Sequence, residues 1–548
     1  MRILVFFLII TLKANFLLGQ LNTVGLIKNS NEVTDGYVLF SPITNNSTYL
    51  IDNCGKLINS WTSDFKPGLV GYLTDSGHLI RSARTSIPLT LGGAGGRVEI
   101  FNWEGEVVWA ENFVENGISH HDLALLPNGN ILLLLWDPIP SNLAFQYGRD
   151  PETLDNEFLI SEKLWEIKPI ENNGYELIWE WKMIDHIVQN IDSTLPNFGQ
   201  PENQPNKLDI NKPAGSINQD WIHFNSISYN EERDEILLSA RNLNEIYVID
   251  HSTTTAEAQG NSGGISGKGG DLLYRWGNPQ NYGQGNEQDQ KLFGQHDAQW
   301  ATVNNTSSVS IFNNGDGRPS GDFSTVDLLT LPIDQNGNYI RETLAAFGPE
   351  NAATTYPQDP NENFFSARIS GSQFLDNGNV LITNGSFGNL LEVSSEGEVA
   401  WEYHSPISID GPVSQGSVAY ANDIFKARRY YPEFIGFEAK DLTPGDRLEL
   451  DWNEDGCMTT VLEYSSDNSL KLNILPNPFR DYIKLPDLDE EKSTWKIIDQ
   501  HGRILKTGNG ITSSGDVIDT YDLYPGIYLF MVLINERPAI FTEVILKQ

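Results

Sequence analysis

Three histidines and one arginine stand in positions where their chemistry could be pooled. His121 lies in Ser119-His120-His121-Asp122, and His223 in Asp220-Trp221-Ile222-His223-Phe224-Asn225. His296 lies in Gly294-Gln295-His296-Asp297-Ala298-Gln299-Trp300, and Arg241 ends Ile236-Leu237-Leu238-Ser239-Ala240-Arg241. His121 stands eight residues before Gly129, His223 seven before Asn230 and His296 eight before Asn304, so each opens a strand that runs into a turn. Arg241 follows the turn after His223, and the returning strand carries it back beside that histidine. Side chains alternate along a strand, so Asn225 shares the face of His223. The same offset from Gly378 gives Ser370 in another copy, with Arg368 and Ser366 on its face. One histidine alone is more often structural than reactive. A histidine repeated at one offset, joined by a guanidinium, builds a site on a symmetry axis.

Two chemistries fit these residue types. Three imidazoles can hold zinc and leave a position open for water, but a fixed guanidinium beside a dication is unfavourable and no carboxylate base is evident on that face. No metal site is therefore assigned. The other chemistry is an anion site, with one imidazole as nucleophile and the remaining groups as donors to an oxyanion. The guanidinium fork suits such an anion. Spacing alone does not choose among the three histidines. Asp122 and Asp297 directly follow theirs; alternation points them away from the axis, where they would bond backbone between neighbouring units or, alternatively, orient an imidazole.

The elements that must position these groups are short strands in a repeat. One half-unit is an apolar strand, a glycine turn and a strand ending in an aromatic residue: Thr48–Asp52, Gly55 and Leu57–Trp61; Val98–Phe101, Gly105 and Val107–Trp109; Leu390–Val393, Gly397 and Val399–Trp401. Looser copies end near Trp181, Trp276 and Phe347. The other half is a hairpin, as at Asn128-Gly129 and Asn377-Gly378, a residue pair suited to the positive φ of tight turns. Six such units predict an all-β chain with a six-bladed β-propeller over 35–445, an open β-solenoid being the alternative. The long polar insertions 183–219 and 251–271 are expected over one face, near the mouth of the channel. A closed ring would bring its two ends together, so Cys54 and Cys457 could form a disulfide; two separate buried thiols are the alternative.

The chain has 548 residues, with 36 Lys+Arg against 73 Asp+Glu and a net charge of −37. That field argues against nucleic acid and anionic membranes as partners, and it makes each cation near the site informative. Residues 1–19 read as a signal peptide, with Arg2 ahead of an apolar run too short to span a bilayer. After a linker over 446–469, residues 470–548 read as a small β-sandwich opened by Leu475-Pro476-Asn477-Pro478-Phe479. Asp451, Asn453, Asp455 and Gly456 start like a calcium loop, but Leu462 occupies its twelfth position, so they read as a turn.

The motifs around the histidines resemble those of bacterial aryl-sulfate sulfotransferases. Ser119-His120-His121-Asp122 with Leu126-Pro127-Asn128-Gly129-Asn130 is similar to the first motif; Asp220–Ile227 with Asp234 and Ser239-Ala240-Arg241 to the second; and Gln295-His296-Asp297-Ala298 with Phe312–Arg318 to the third. The likeness runs from about residue 35 to about residue 440. It implies a six-bladed propeller that moves a sulfuryl group from a phenol ester to another phenol through a sulfohistidine, without cofactor or nucleotide sulfate donor. Carried over, His296 is the nucleophile; His121, His223, Asn225 and Arg241 hold the sulfuryl oxygens; and a histidine shuttles the phenol proton. Arg368 and Ser366 join the substrate-binding set on their shared strand face. Two features of some members are not expected here: an extra N-terminal β domain that pairs subunits, because the blades begin soon after residue 19, which leaves the oligomeric state open, and a closely spaced cysteine pair near the site, which Cys54 and Cys457 cannot copy. The C-terminal module resembles the sorting domain of the type IX secretion system, through its Pro-Asn-Pro start, a glycine hairpin and Leu523-Tyr524-Pro525-Gly526-Ile527-Tyr528. The implied partners are an aryl sulfate donor, a phenolic acceptor and that secretion machinery, with the protein secreted or on the cell surface. A non-catalytic propeller binding a sulfated or phenolic ligand and a metal-dependent hydrolase are the competing functions.

Overall fold

In five of the six blades a tryptophan of the fourth strand reaches into the next blade. Trp61 Nε1 donates to the carbonyl of Asn102, Trp109 to Gly174, Trp181 to Gly270, Trp276 to Pro349 and Trp401 to Asn53, at 2.7–2.9 Å. Trp61, Trp181 and Trp401 are fully buried. Burying an indole of about 200 Å² is worth roughly 5 kcal/mol, against about 1 kcal/mol net for its hydrogen bond. Packing therefore holds neighbouring blades together, and the N–H sets their register. The last of these bonds joins the final blade to the first and closes the ring.

The computed structural model describes residues 22–451 except 90, 155–156, 172, 213–218, 304–305 and 358–363, together with Cys457 and parts of 482–547. The expected signal peptide and the Pro-Asn-Pro segment lie outside the described residues. The fold is all-β, with six antiparallel sheets as blades. Blade one is Ile424–Tyr430, Tyr37–Pro42, Ser47–Asp52 and Leu57–Thr62, its innermost strand supplied by the far end of the propeller. Blade two runs from Pro67–Leu73 to Val107–Asn112, blade three from Ile118–Leu125 to Tyr175–Lys182, and blade four from Phe224–Asn230 to Tyr274–Trp276. Blade five runs from His296–Val303 to Thr354–Tyr356, and blade six from Gly371–Phe374 to Val399–His404. Gly25–Asn29 adds a fifth strand outside blade six, upstream of the expected start at residue 35. The ring is thus closed twice, and Cys54 and Cys457 are joined by a disulfide near the seam.

Three local expectations are corrected. Asn128 is not left-handed: Gly129 alone takes positive φ (84°), while Asn128 Oδ1 accepts from the N–H of Asn130. Phe347 does not end the fifth copy; the outer strand there is Thr354–Tyr356, and Phe347 packs against Tyr274 and Tyr282. The 251–271 insertion lies along the outer edge of blade three. Its Thr253 and Thr255 hydroxyls accept from Trp179 Nε1 and the N–H of Glu180, and its Gly270 carbonyl takes the indole N–H of Trp181. It covers a strand edge that would otherwise be open.

In the C-terminal module, Tyr482–Lys484 pairs with Val517–Asp519, and Ser493–Asp499, Ile504–Asn509, Gly526–Ile534 and Ile540–Lys547 form a four-stranded antiparallel sheet. Ile483, Ile497, Ile518 and Phe530 are buried in it.

Candidate active site

All six innermost strands run in the same direction, so their first residues ring one mouth of the propeller. His121, His223 and His296 meet there. The rings of His121 and His223 are 4.6 Å apart. Phe425, on the innermost strand of blade one, lies 6.1 Å from His121 and 6.0 Å from His296 and sits between them. Arg241 is locked beside His223, its N–H donating to the His223 carbonyl at 3.1 Å. His121 and His296 are nearly closed off from solvent (3% each), whereas the Arg241 side chain keeps 30% exposure.

Each ring is held by a different partner. His296 Nδ1 meets Asn314 Oδ1 at 2.8 Å. The orientation of that amide is fixed, because Asn314 Nδ2 donates to the carbonyls of Ser366 and Ile369 at 2.8 and 2.9 Å. The oxygen therefore faces His296, Nδ1 carries the proton, and Nε2 keeps its lone pair. Burial and the Arg241 guanidinium pull the His296 imidazole down to about 3, so it is neutral at ordinary pH. His223 Nδ1 bonds Asp220 Oδ2. His121 Nδ1 meets His120 Nδ1 at 2.9 Å, and His120 Nε2 meets Glu162 Oε2 at 2.8 Å. Burial holds both His120 and His121 well below the usual imidazole range, with the nearby His223 adding to it.

The scaffold shows why these chains hold these positions. Gln295, fully buried, donates from Nε2 to Ser239 Oγ and to the carbonyls of Ala240 and Glu245, which staples the start of blade five into blade four. The His121 N–H donates to the Gly93 carbonyl at 2.9 Å, and a Cβ on Gly93 would overlap the His121 ring. Left-handed φ falls on His121 (46°) and His223 (57°), but on Asp297 (49°), one residue after His296. The three histidines thus share a mouth without sharing one backbone conformation.

These left-handed residues also overturn the alternation expected for Asp122 and Asp297. Both turn toward the axis. Lys426 Nζ reaches Asp122 Oδ2 at 2.7 Å and Asp297 Oδ1 at 2.9 Å, Arg428 pairs with Asp297, and the Tyr72 hydroxyl donates to Asp122. The same carboxylates also accept backbone N–H groups of the next blade, Ile227 for Asp122 and Ser372 for Asp297, as the blander expectation held.

The remaining expected site residues are placed as follows. Asn225 is fully buried and donates from Nδ2 to the Gln295 carbonyl at 2.7 Å, so one of its N–H bonds supports the His296 strand. Ser366 is buried; its carbonyl holds Asn314 and its hydroxyl bonds Ser386, which makes it a support for the site. The Arg368 side chain is 69% exposed and pairs with Asp423 at 3.4 Å. Two carboxylates not singled out from the sequence as imidazole partners are Asp220, on His223 Nδ1, and Glu162, on His120 Nε2. Among the described residues, no three histidine, cysteine, aspartate or glutamate side chains are grouped to hold a metal ion.

A propeller whose mouth gathers oriented imidazoles beside a guanidinium presents groups chemically suited to an oxyanion. Residues 24–408 match the family model described as arylsulfotransferase (ASST), and the chain belongs to that family, whose activity is sulfotransfer. Residues 473–547 match the secretion system C-terminal sorting domain, which marks the protein for export and for secretion or cell-surface attachment. No curated protein matches the chain. Among solved structures, a protein of unknown function from Bacteroides caccae is 12% identical, with a TM-score of 0.36, and covers 68% of this chain and 95% of its own. A virginiamycin B lyase from Staphylococcus aureus is 12% identical (TM-score 0.33; 70% and 86% covered), and a periplasmic gluconolactonase from Pseudomonas aeruginosa 10% identical (TM-score 0.34; 72% and 98%). At that distance these likenesses carry no functional argument.

Proposed function

We propose that the protein transfers a sulfuryl group between phenols in two steps, with His296 as nucleophile. Nε2 of His296 attacks the sulfur of an aryl sulfate; the S–O bond to the aryl oxygen breaks and an N–S bond forms. The leaving phenolate takes a proton and departs. An acceptor phenol then gives up its proton and attacks the same sulfur, which restores His296. Arg241, His121 and His223 would stabilise the three sulfuryl oxygens, and Asn225 would support the strand that carries His296.

The observation that carries this reading is the His296–Asn314 hydrogen bond. It leaves the lone pair on Nε2, and low basicity keeps that nitrogen unprotonated where the reaction must run. The experiment is to mix the enzyme with an aryl sulfate without acceptor and follow phenol release. A burst equal to the enzyme concentration is expected, with an acid-labile sulfuryl adduct on the peptide containing His296. Full transfer activity in His296→Ala would overturn the assignment.

A further inference from the structure

Glu162 is a fully buried carboxyl that no step above uses, and it ends a chain of hydrogen bonds that begins at a substrate-facing histidine. We propose that Glu162, His120 and His121 form a proton relay that delivers a proton to the departing phenolate, stores the vacancy on Glu162, and refills it from the acceptor phenol. The proposal rests on the sulfotransfer reading above and names the group that holds its proton.

The geometry carries it. His121 Nδ1, His120 Nδ1, His120 Nε2 and Glu162 Oε2 are linked at 2.9 and 2.8 Å. The side chains of His120 and Glu162 have no solvent exposure. His120 is fixed by stacking on Trp136, with centroids 4.5 Å apart and planes within 8°. Glu162 Oε1 accepts the N–H of Phe224, next to His223, so the carboxyl can stay in place with or without its proton. Burial pushes Glu162 well up from the carboxylate range; Asp220 and Asp137 push the same way, while the Phe224 N–H and His223 oppose them.

Two protonation states of this chain keep both imidazoles neutral. In the first, Glu162 carries a proton and donates a hydrogen bond to His120 Nε2, His120 donates from Nδ1 to His121 Nδ1, and His121 presents an N–H at Nε2. In the second, one proton has left through the mouth and the other two have moved one bond toward it: Glu162 is a carboxylate and holds the negative charge, His120 donates from Nε2, His121 donates from Nδ1, and His121 presents a lone pair at Nε2. When the aryl S–O bond breaks, the phenolate oxygen takes the Nε2 proton of His121, and the first arrangement becomes the second. The acceptor phenol returns a proton to that nitrogen as it attacks, and the first is restored. One proton leaves and one enters, and no imidazolium is formed.

That last property explains why such a relay is needed here. Protonation of His121 is opposed by His223, His120, His296 and Arg241 together. An imidazole that must first become a cation is a poor acid in such company, whereas a relayed imidazole stays neutral throughout.

The test is Glu162→Gln in the full-length enzyme, with donors whose phenols span a range of acidity. Glutamine keeps the size and the contact to the Phe224 N–H but cannot exchange the proton. Donors that release an acidic, nitro-substituted phenol should keep a burst rate within a few-fold of wild type. Donors of ordinary phenols, pKa about 10, should lose on the order of 100-fold or more, the usual size of a lost acid–base contribution. His120→Gln should give the same split. A uniform loss across donors, or none, overturns the relay. Should both variants misfold, the wild type still decides. With an ordinary phenol as leaving group, several protons in flight predict a curved dependence of rate on the D2O fraction, and a linear or absent dependence overturns the relay. A wild-type enzyme that transfers no sulfuryl group from any aryl sulfate fails at the underlying reading instead, so the two failures are distinguishable.

Discussion

Asn314 Oδ1 accepts the proton of His296 Nδ1 at 2.8 Å, with its own amide pinned to two carbonyls behind it. The amide dictates which nitrogen of His296 can attack. Replacing it with leucine leaves Nδ1 without an acceptor and frees the ring to rotate or to change tautomer. A hydrogen bond of this kind is worth about 1–3 kcal/mol when its partner is left unsatisfied. Asn314→Leu should therefore lower kcat by about 10- to 100-fold with a smaller change in KM. Steady-state kinetics on one aryl sulfate, with a circular dichroism control, is the check; a change in KM alone would mean that Asn314 serves binding instead.

The basicity of His296 gives a signed pH prediction. Burial and Arg241 hold the imidazole at about 3, so it is free base above that value and sulfohistidine formation should be flat through neutrality. The rate should fall only as pH drops through about 3. Arg241→Gln removes one of its causes, the pKa rises, and the acid limb moves to higher pH. Burst rates against pH for both proteins test this. An acid limb that stays in place or moves downward in the variant would show that Arg241 does not act on the His296 proton.

Arg241 is loosely paired with Asp316 at 3.6 Å, and the Asp316 side chain is 50% exposed. An incoming sulfate must compete with that carboxylate for the guanidinium. An exposed pair contributes about 0–1 kcal/mol, so Asp316→Asn should lower KM for aryl sulfates by at most about five-fold and leave kcat unchanged. A raised KM would mean instead that Asp316 orients Arg241 for the substrate.

Gly93 has φ of 85°, and any side chain there would run into His121. Gly93→Ala should displace the His121 ring by a fraction of an ångström or more while the blades remain folded. Misplacement on that scale costs on the order of 100-fold in rate. Activity and thermal midpoint measured together separate this from unfolding; wild-type activity in the variant would show that the loop yields and the ring does not move.

The sequence displayed the architecture because its signals are local and repeated: aromatic residues near the ends of outer strands, glycine in many of the turns, an imidazole at the start of three inner strands. Partners contributed by distant segments were hidden. Glu162 comes from the third strand of the blade whose first strand carries His120, and nothing in their spacing shows that they touch. Lys426 arrives from the strand that closes the ring, 304 residues after Asp122. Asn314 lay in plain view within a motif, but its role depends on which atom of its amide faces the histidine. Asp122 and Asp297 were misjudged because strict alternation assumes a regular strand, and left-handed residues interrupt both strands at that point. Arg368 had the right offset, yet it precedes the strand Gly371–Phe374, where strand alternation does not apply.

The axial ion cluster ties stability to the site. Lys426 is 2% exposed and spans Asp122 and Asp297, which are fully buried and directly follow His121 and His296 in the chain. Lys426→Met keeps the aliphatic stem and removes the charge. Breaking a buried pair from one side costs about 3–5 kcal/mol, because the partner is left buried and uncompensated. The two carboxylates are not equally affected. Asp297 keeps its ion pair with Arg428, whereas Asp122, among the described residues, keeps hydrogen bonds from the Tyr72 hydroxyl and the N–H groups of Leu123 and Ile227 and only the more distant field of Arg428. The loss should therefore fall mainly on Asp122. Adding Asp122→Asn to Lys426→Met should recover more stability than adding Asp297→Asn, which would leave Arg428 facing an amide. Denaturant unfolding of the two double variants gives the order. If Asp297→Asn rescues better, or if Lys426→Met is neutral, the cation is not what holds these carboxylates, and with them the two histidines, at the axis.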